Sequence, residues 1–200
     1  QFTAVAITKL AEEKKLAISD KLSKYFPDFK AGKNVTIENL LRMESGIPDY
    51  LNFNIGAVEQ GEKKTTSTYS HKEFTKWLNK QELGFKPGEY YYYSNTNYYL
   101  LGMIIEEVTG KTYEEYMVDE LLYPNYMYNT SMNMKDTTTK GYLTVKGEKG
   151  IEVDGTYFYS AGEMVSTTED MWRWINEFDN GNLISEKSTK QALSKGKSGN

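Results

Sequence analysis

Strand-forming patterns are confined to two short stretches of this 200-residue chain, residues 142–145 and 151–153, with residues 146–150 between them. Those two stretches predict one small hairpin. Almost every other apolar run recurs at helical spacing, so helix signals dominate and the pattern is mainly α.

The helix boundaries carry recognisable signals. Phe2-Thr3-Ala4-Val5-Ala6-Ile7-Thr8-Lys9-Leu10-Ala11 is apolar most of the way round, which predicts a buried helix, yet no Ser, Thr, Asp or Asn precedes it as an N-cap. Thr36 stands before Ile37, Leu40 and Leu41, a short helix that stops ahead of Ser45-Gly46-Ile47-Pro48. Ser70 and Glu73 form a capping box before Phe74, Trp77 and Leu78, with Gly84 as the expected end. Leu100, Leu101, Met103, Ile104, Ile105 and Val108 make the densest apolar set, closed by Gly110. Thr112 with Glu115 opens the next helix, which Pro124 stops, and Thr167 with Asp170 opens another that carries Met171, Trp172, Ile175 and Phe178 up to Gly181. Residues 53–69 are polar and glycine-bearing, and read as a long loop. The chain opens on Gln1 in mid-helix and closes on Gly196-Lys197-Ser198-Gly199-Asn200, so it reads as a piece of a longer protein.

Composition narrows the chemistry. Twenty-four basic against 28 acidic residues give a net charge of −4, which argues against a nucleic-acid partner. No apolar run approaches the roughly 20 residues of a membrane span. With no cysteine and one histidine, thiolate chemistry and multi-histidine metal sites are excluded. His71, in the first turn of a capped helix, reads as a surface histidine. Glu106-Glu107, Glu114-Glu115 and Asp119-Glu120 read as solvated helix faces. Tyrosine is the excess, 17 against 8 Phe and 3 Trp, and its plainest reading is a core with hydroxyls at its edge.

One segment concentrates polar and aromatic groups: Pro87-Gly88-Glu89-Tyr90-Tyr91-Tyr92-Tyr93-Ser94-Asn95-Thr96-Asn97-Tyr98-Tyr99. Tyr93 and Asn95, two apart on a turn before a buried helix, put a phenol and an amide on the same side of the backbone. A phenol can shuttle a proton if cations hold its pKa below the ordinary ~10. An amide can hold a ligand carbonyl and an amide hydrogen together. The competing reading is a turn whose aromatic residues cap the core.

Pro87-Gly88, Tyr93-Ser94-Asn95, Leu100-Leu101-Gly102, Ile105-Glu106 and Thr109-Gly110 together resemble the second-motif region of the serine β-lactamase and penicillin-binding-protein family. The branch is that of class C β-lactamases, D-alanyl-D-alanine carboxypeptidases and related esterases. Phe2-Thr3-Ala4 and the residues after it resemble the nucleophile helix. Ser45-Gly46-Ile47-Pro48-Asp49-Tyr50 resembles the stretch that members write H-T-S-G-[LI]-P, with Met43-Glu44 in place of His-Thr. Ser160-Ala161-Gly162-Glu163-Met164-Val165-Ser166-Thr167 with Asp170 matches A-G-G-[LM]-x-S-T-x-x-D. The likeness covers residues 1–185, the helical region of such a hydrolase, and implies a mainly α structure of about six or seven helices with one small hairpin, no full mixed sheet, and no metal or organic cofactor; residues 186–200 read as a terminal helix remnant and polar tail.

The resemblance implies a serine, activated by the lysine of S-x-x-K and by Tyr93, attacking an amide, lactam or ester carbonyl, with Asn95 orienting the acyl side chain. In the family S-x-x-K directly precedes F-T-A, which places it ahead of Gln1, so the chain alone is expected to be inactive. Ser45, Ser94 and Ser166 each lack a lysine three residues on. Lys197-Ser198-Gly199 has the letters of the third motif without the alternating apolar flanks of a strand, and reads as chance. The implied substrate is a small molecule or a peptidoglycan peptide, and the implied location is outside the cytoplasm. A non-catalytic peptide- or glycan-binding module and a structural domain with packing tyrosines are the alternatives. An opening helix that is apolar on every face, with no sheet to cover it, further predicts self-association through residues 2–11.

Overall fold

The computed structural model describes residues 1–52, 70–132, 139, 142–143, 151–152 and 155–196. The predicted 53–69 loop and Lys197-Ser198-Gly199 lie outside the described residues. Seven α-helices are described: α1 (Phe2–Glu12), α2 (Ile37–Leu41), α3 (His71–Leu78), α4 (Asn95–Thr109), α5 (Tyr113–Met117), α6 (Thr168–Asp179) and α7 (Glu186–Ala192). Two strands, β1 (Tyr142–Leu143) and β2 (Ile151–Glu152), pair antiparallel with Tyr142 opposite Glu152. The fold is therefore mainly α with one small hairpin. The rest of the predicted hairpin, residues 144–150 and 153, lies outside the described residues.

Local sequence sets most of these boundaries. Thr36, Ser70 and Thr112 each cap a helix through a reciprocal box, the Ser70–Glu73 and Thr112–Glu115 pairs being those the sequence predicts. Thr167 accepts from the Asp170 N–H at the start of α6. Gly110, at φ +70°, ends α4 in the left-handed conformation. Helix α3 departs from expectation. It ends at Leu78 rather than running on to Gly84, because Lys80 and Gln81 turn back onto the Trp77 and Leu78 carbonyls. Gly84 is used elsewhere, its N–H donating to the Gly46 carbonyl at 2.8 Å.

Helix α4 is the centre of the molecule, with Leu100, Leu101, Ile104 and Ile105 fully buried. It packs against α1, α2, α5 and the turn at Tyr159–Ala161. Gly102 lets that last turn approach: a Cβ there would stand 2.1 Å from Ser160 Oγ. Tyr99 stacks on Phe74 of α3, centroids 3.9 Å apart, and Tyr50 meets both rings edge-on. Tyr50, Tyr99, Tyr113, Tyr116 and Tyr157 are core, as the plain reading of the composition has it, whereas eight other described tyrosines, Tyr90 to Tyr93 among them, are exposed.

The expected open face on the first helix is corrected by the structure. Val5, Ala6, Ile7 and Leu10 of α1 are buried within the chain, and the Phe2 ring packs on Trp174 at 4.1 Å. The uncovered apolar area that pairing through residues 2–11 requires is not there among the described residues. Among the described residues no helix is long and apolar enough to cross a membrane.

Glu106 also departs from its sequence reading. It is no solvated face: its carboxylate accepts from the Tyr159 hydroxyl (2.8 Å) and the Tyr113 N–H (2.8 Å), and lies 3.3 Å from His71 Nδ1. His71 is accordingly no plain surface residue but a half-exposed one wedged edge-on against Tyr99 and Tyr159. Burial, then the carboxylate of Glu106, pushes the Tyr159 hydroxyl well above the ordinary phenol range, and burial does the same to Tyr113 and Tyr116. A group whose folded pKa is raised contributes stability that is complete below its unfolded pKa, near 10, and is lost as pH rises past it. Melting temperature is therefore expected to fall as pH rises from about 9 to about 12. Circular-dichroism melts across that range check this, and Tyr159→Phe should flatten the alkaline fall.

Candidate active site

The residues singled out by sequence, Tyr93 and Asn95, meet at the head of α4. The backbone emerges from an exposed run of four tyrosines, Tyr90 to Tyr93, and enters α4 at Asn95. The Tyr93 hydroxyl, on a side chain more than half exposed, donates to Asn95 Oδ1 at 3.2 Å. Asn95 itself is buried. Ser94 supplies no cap bond, and its buried hydroxyl has no hydrogen-bond partner among the described residues.

The turn is held by the segment that contains Ser45-Gly46-Ile47-Pro48-Asp49-Tyr50. Three consecutive residues of α4 each bond to it. Asn95 Nδ2 donates to Asp49 Oδ2 at 2.8 Å. Thr96 Oγ1 donates to the Pro48 carbonyl at 2.7 Å and accepts from the Tyr50 N–H at 2.9 Å. Asn97 Oδ1 accepts from Ser45 Oγ at 2.5 Å, and its Nδ2 contacts Met43 Sδ at 3.1 Å. Met43, standing where the family motif has histidine, thus keeps a contact to this turn through sulfur. All but the Met43 and Tyr93 side chains in this set are buried, where an unpaired polar group is costly.

A second layer fixes that segment from behind. The N–H groups of Gly84, Gly88 and Tyr92 donate to the carbonyls of Gly46, Glu44 and Met43 at 2.8, 2.8 and 2.9 Å. Met43 itself closes α2 with φ +57°: its N–H bonds to the Leu40 carbonyl and that of Glu44 to the Asn39 carbonyl, the two bonds of a Schellman end.

The segment that opens at Ser160-Ala161-Gly162 meets the first helix. Thr3 Oγ1 donates to the Ser160 carbonyl at 2.7 Å. Its one hydrogen being used there, the Tyr113 hydroxyl, 2.6 Å away, donates to it. A pocket of about 80 Å³ opens at this junction, lined by Gln1, Phe2, Tyr98, Glu163 and Met164 among others. Tyr98, one turn along α4 from Asn95, lines it, whereas Tyr93 and Asn95 are not part of its wall. Burial, and behind it the phenols of Tyr93 and Tyr91, push the Tyr98 hydroxyl above the usual phenol range, and it donates to the Leu41 carbonyl at 3.3 Å. Ser166 hydrogen-bonds Thr130, and Asp170 accepts from Asn129 N–H and Thr130 Oγ1 while pairing with Arg173, so this stretch tethers the 129–130 turn. A larger cleft of about 370 Å³ lies between the 25–28 segment, α3 and the far half of α4 around Met103 and Glu106. At 1.5 Å per residue it starts about 12 Å down the helix from Asn95, away from this chemistry.

Sequence reasoning missed Asp49, Thr96 and Asn97. A carboxylate directly after the Ile47-Pro48 pair was the available signal for Asp49. The partners of Thr96 and Asn97 lie about 50 positions away, and nothing local announces them.

Comparison with known proteins agrees with this convergence of motifs. A family described as Beta-lactamase matches residues 1–200. The chain belongs to this family. Protein flp of Staphylococcus aureus is 33% identical over 192 residues, a match that takes in 87% of this chain and 36% of that protein. PbpX of Bacillus subtilis is 29% identical, over 98% of this chain and 48% of the relative. The solved structure of an octameric penicillin-binding protein homologue from Pyrococcus abyssi superimposes with a TM-score of 0.77 and 29% identity, covering 94% of this chain and 45% of that one. The chain spans less than half the length of each of these relatives.

Proposed function

We propose that this chain is the helical part of a serine acyl-transfer hydrolase acting on an amide, lactam or ester carbonyl. The observation that carries the reading is the Tyr93 hydroxyl on Asn95 Oδ1, held at the head of a buried helix by the 43–50 segment. In this reading a serine and lysine from an S-x-x-K preceding Gln1 complete the centre. The serine oxygen bonds to the carbonyl carbon, and its proton passes to the lysine–phenol pair. Tyr93 then delivers a proton to the leaving amine or alkoxide as the scissile bond breaks, and later takes one from the water that releases the acyl group. Asn95 has one N–H and one oxygen lone pair beyond those used by Asp49 and Tyr93, enough to bind the acyl amide. The phenol needs a neighbouring cation for this work, and its hydrogen bond among the described residues goes to an amide, so the motif lysine is the group that must supply it.

The substrates proposed are β-lactams, peptidoglycan stem peptides or short esters, with the site of action outside the cytoplasm. A second reading, a peptide- or glycan-binding module without catalysis, is favoured by one feature, the four consecutive exposed tyrosines that offer amphipathic rings to a sugar or peptide. Turnover separates the two. The full-length protein is expected to hydrolyse a chromogenic cephalosporin, a D-Ala-D-Ala peptide or a nitrophenyl ester above background. Saturable binding of a muropeptide with no turnover of any of the three would favour the binding module instead.

A further inference from the structure

The amide of Asn95 can sit in two orientations that exchange Oδ1 and Nδ2, and only one of them turns an acceptor toward Tyr93. Asp49 decides between them. Its side chain is buried, as is that of Asn95, and an ionised carboxylate can only accept hydrogen bonds. Oδ1 of Asp49 accepts from the Leu51 N–H at 3.1 Å and Oδ2 accepts from Asn95 Nδ2 at 2.8 Å. With Nδ2 committed to Asp49, Oδ1 of Asn95 faces the Tyr93 hydroxyl. Were the amide reversed, oxygen would face oxygen at Asp49, and an N–H would meet the phenol.

We infer that Asp49 is a positioning residue for the Tyr93–Asn95 pair, fixing the amide orientation in which Asn95 accepts from the phenol. The inference rests on the reading of that pair as the reacting end of the chain. Burying a carboxylate is expensive, and Thr96 and Asn97 bind the same segment independently of it, through Pro48, Tyr50 and Ser45, while Asp49 caps its own turn at Leu51 and reaches Asn95 with its second oxygen. Its place beside the first residue of the 15-residue helix α4 offsets part of that cost, because the N-terminal end of a helix favours negative charge. The amide acts on substrate in this scheme, and the carboxylate acts through the amide.

Two measurements test it. In the chain as it stands, ¹⁵N spectra of the Asn95 side-chain amide should show one strongly protected, slowly exchanging proton, which becomes exposed in Asp49→Ala. A fast-exchanging, freely rotating Asn95 amide in the unsubstituted chain would overturn the inference without any variant having to fold. In the full-length protein, Asp49→Ala should slow β-lactam acylation on the order of 10²-fold, the loss typical of a misplaced reacting group. The pH limb governed by Tyr93 should also move to lower pH, because Oδ1 holds the protonated phenol whereas a reversed amide would favour phenolate. Loss of the Asp49 charge by itself also favours phenolate, so Asp49→Asn, which removes the charge but keeps an oxygen for Nδ2, should leave the limb closer to the parent's than Asp49→Ala does, with Tyr91 and Tyr98 unchanged in both. Asp49→Asn, which can still present an oxygen to Nδ2, should restore part of the rate. A folded Asp49→Ala protein with an unmoved pH limb would identify a structural role only and overturn the proposal. Absence of acylation by the unsubstituted full-length protein would instead overturn the functional reading, leaving the amide measurement to decide the role of Asp49.

Discussion

Replacing Tyr93 by phenylalanine in the full-length protein should slow acylation by a β-lactam about 10²–10⁴-fold, the range for loss of a general acid–base group. The melting temperature should barely move. The side chain is more than half exposed, and its hydroxyl makes one hydrogen bond of 3.2 Å, so little packing is lost with it. That combination, a large kinetic loss with negligible destabilisation, separates a proton carrier from a core tyrosine. The contrast is Tyr50, whose ring lies among Phe74, Tyr99 and Tyr157 and whose hydroxyl donates to the Tyr157 carbonyl. Stopped-flow acylation and a thermal melt on the same Tyr93→Phe sample check both halves. Acylation within about threefold of the parent would remove Tyr93 from the chemistry.

Gly46→Ala is the substitution expected to cost most stability. At φ +78° an alanine pays the left-handed penalty of roughly 1–2 kcal/mol. Its Cβ would also stand 2.3 Å from the Phe85 carbonyl oxygen, a backbone atom with no rotamer to yield. Overpacking of this kind adds about 1–3 kcal/mol. Together these put the loss near 3–4 kcal/mol, a large share of the ~5–15 kcal/mol by which domains are stable, and a fall of about 10 °C in melting temperature. Because Gly46 sits in the segment that holds Asn95 to Asn97, acylation should suffer too. Urea denaturation monitored by tryptophan fluorescence measures the first effect, and a midpoint unchanged within error would show that the Phe85 strap can move aside.

The capped helices were readable from sequence because their signals are local. Ser70 with Glu73 and Thr112 with Glu115 hold their own partners three residues away, and Gly110 does its work at its own φ. The Tyr93–Asn95 pair was readable for the same reason, two residues apart on one turn. What escaped was long-range. Gly84 looked like a helix end but serves a strap onto Gly46, 38 positions earlier, and helix α3 stopped at Leu78 without it. Glu106, one of two adjacent helix carboxylates, and His71, in the first turn of a capped helix, looked solvent-facing, yet the Tyr159 turn folds over both, with Gly102 making room for it. The apolar girth of the first helix predicts an exposed surface only if the rest of the chain leaves it bare, and α4 together with Trp174 covers it.

Intact-mass spectrometry after incubation with a penicillin, run on the full-length protein and on the chain Gln1–Asn200 side by side, shows where the nucleophile lies. The account predicts a mass increase of one acyl group on the full-length protein, located by digestion to the serine of an S-x-x-K just ahead of Gln1, and no increase on the shorter chain. An adduct on the shorter chain, at Ser45, Ser94, Ser166 or any other of its residues, would contradict it.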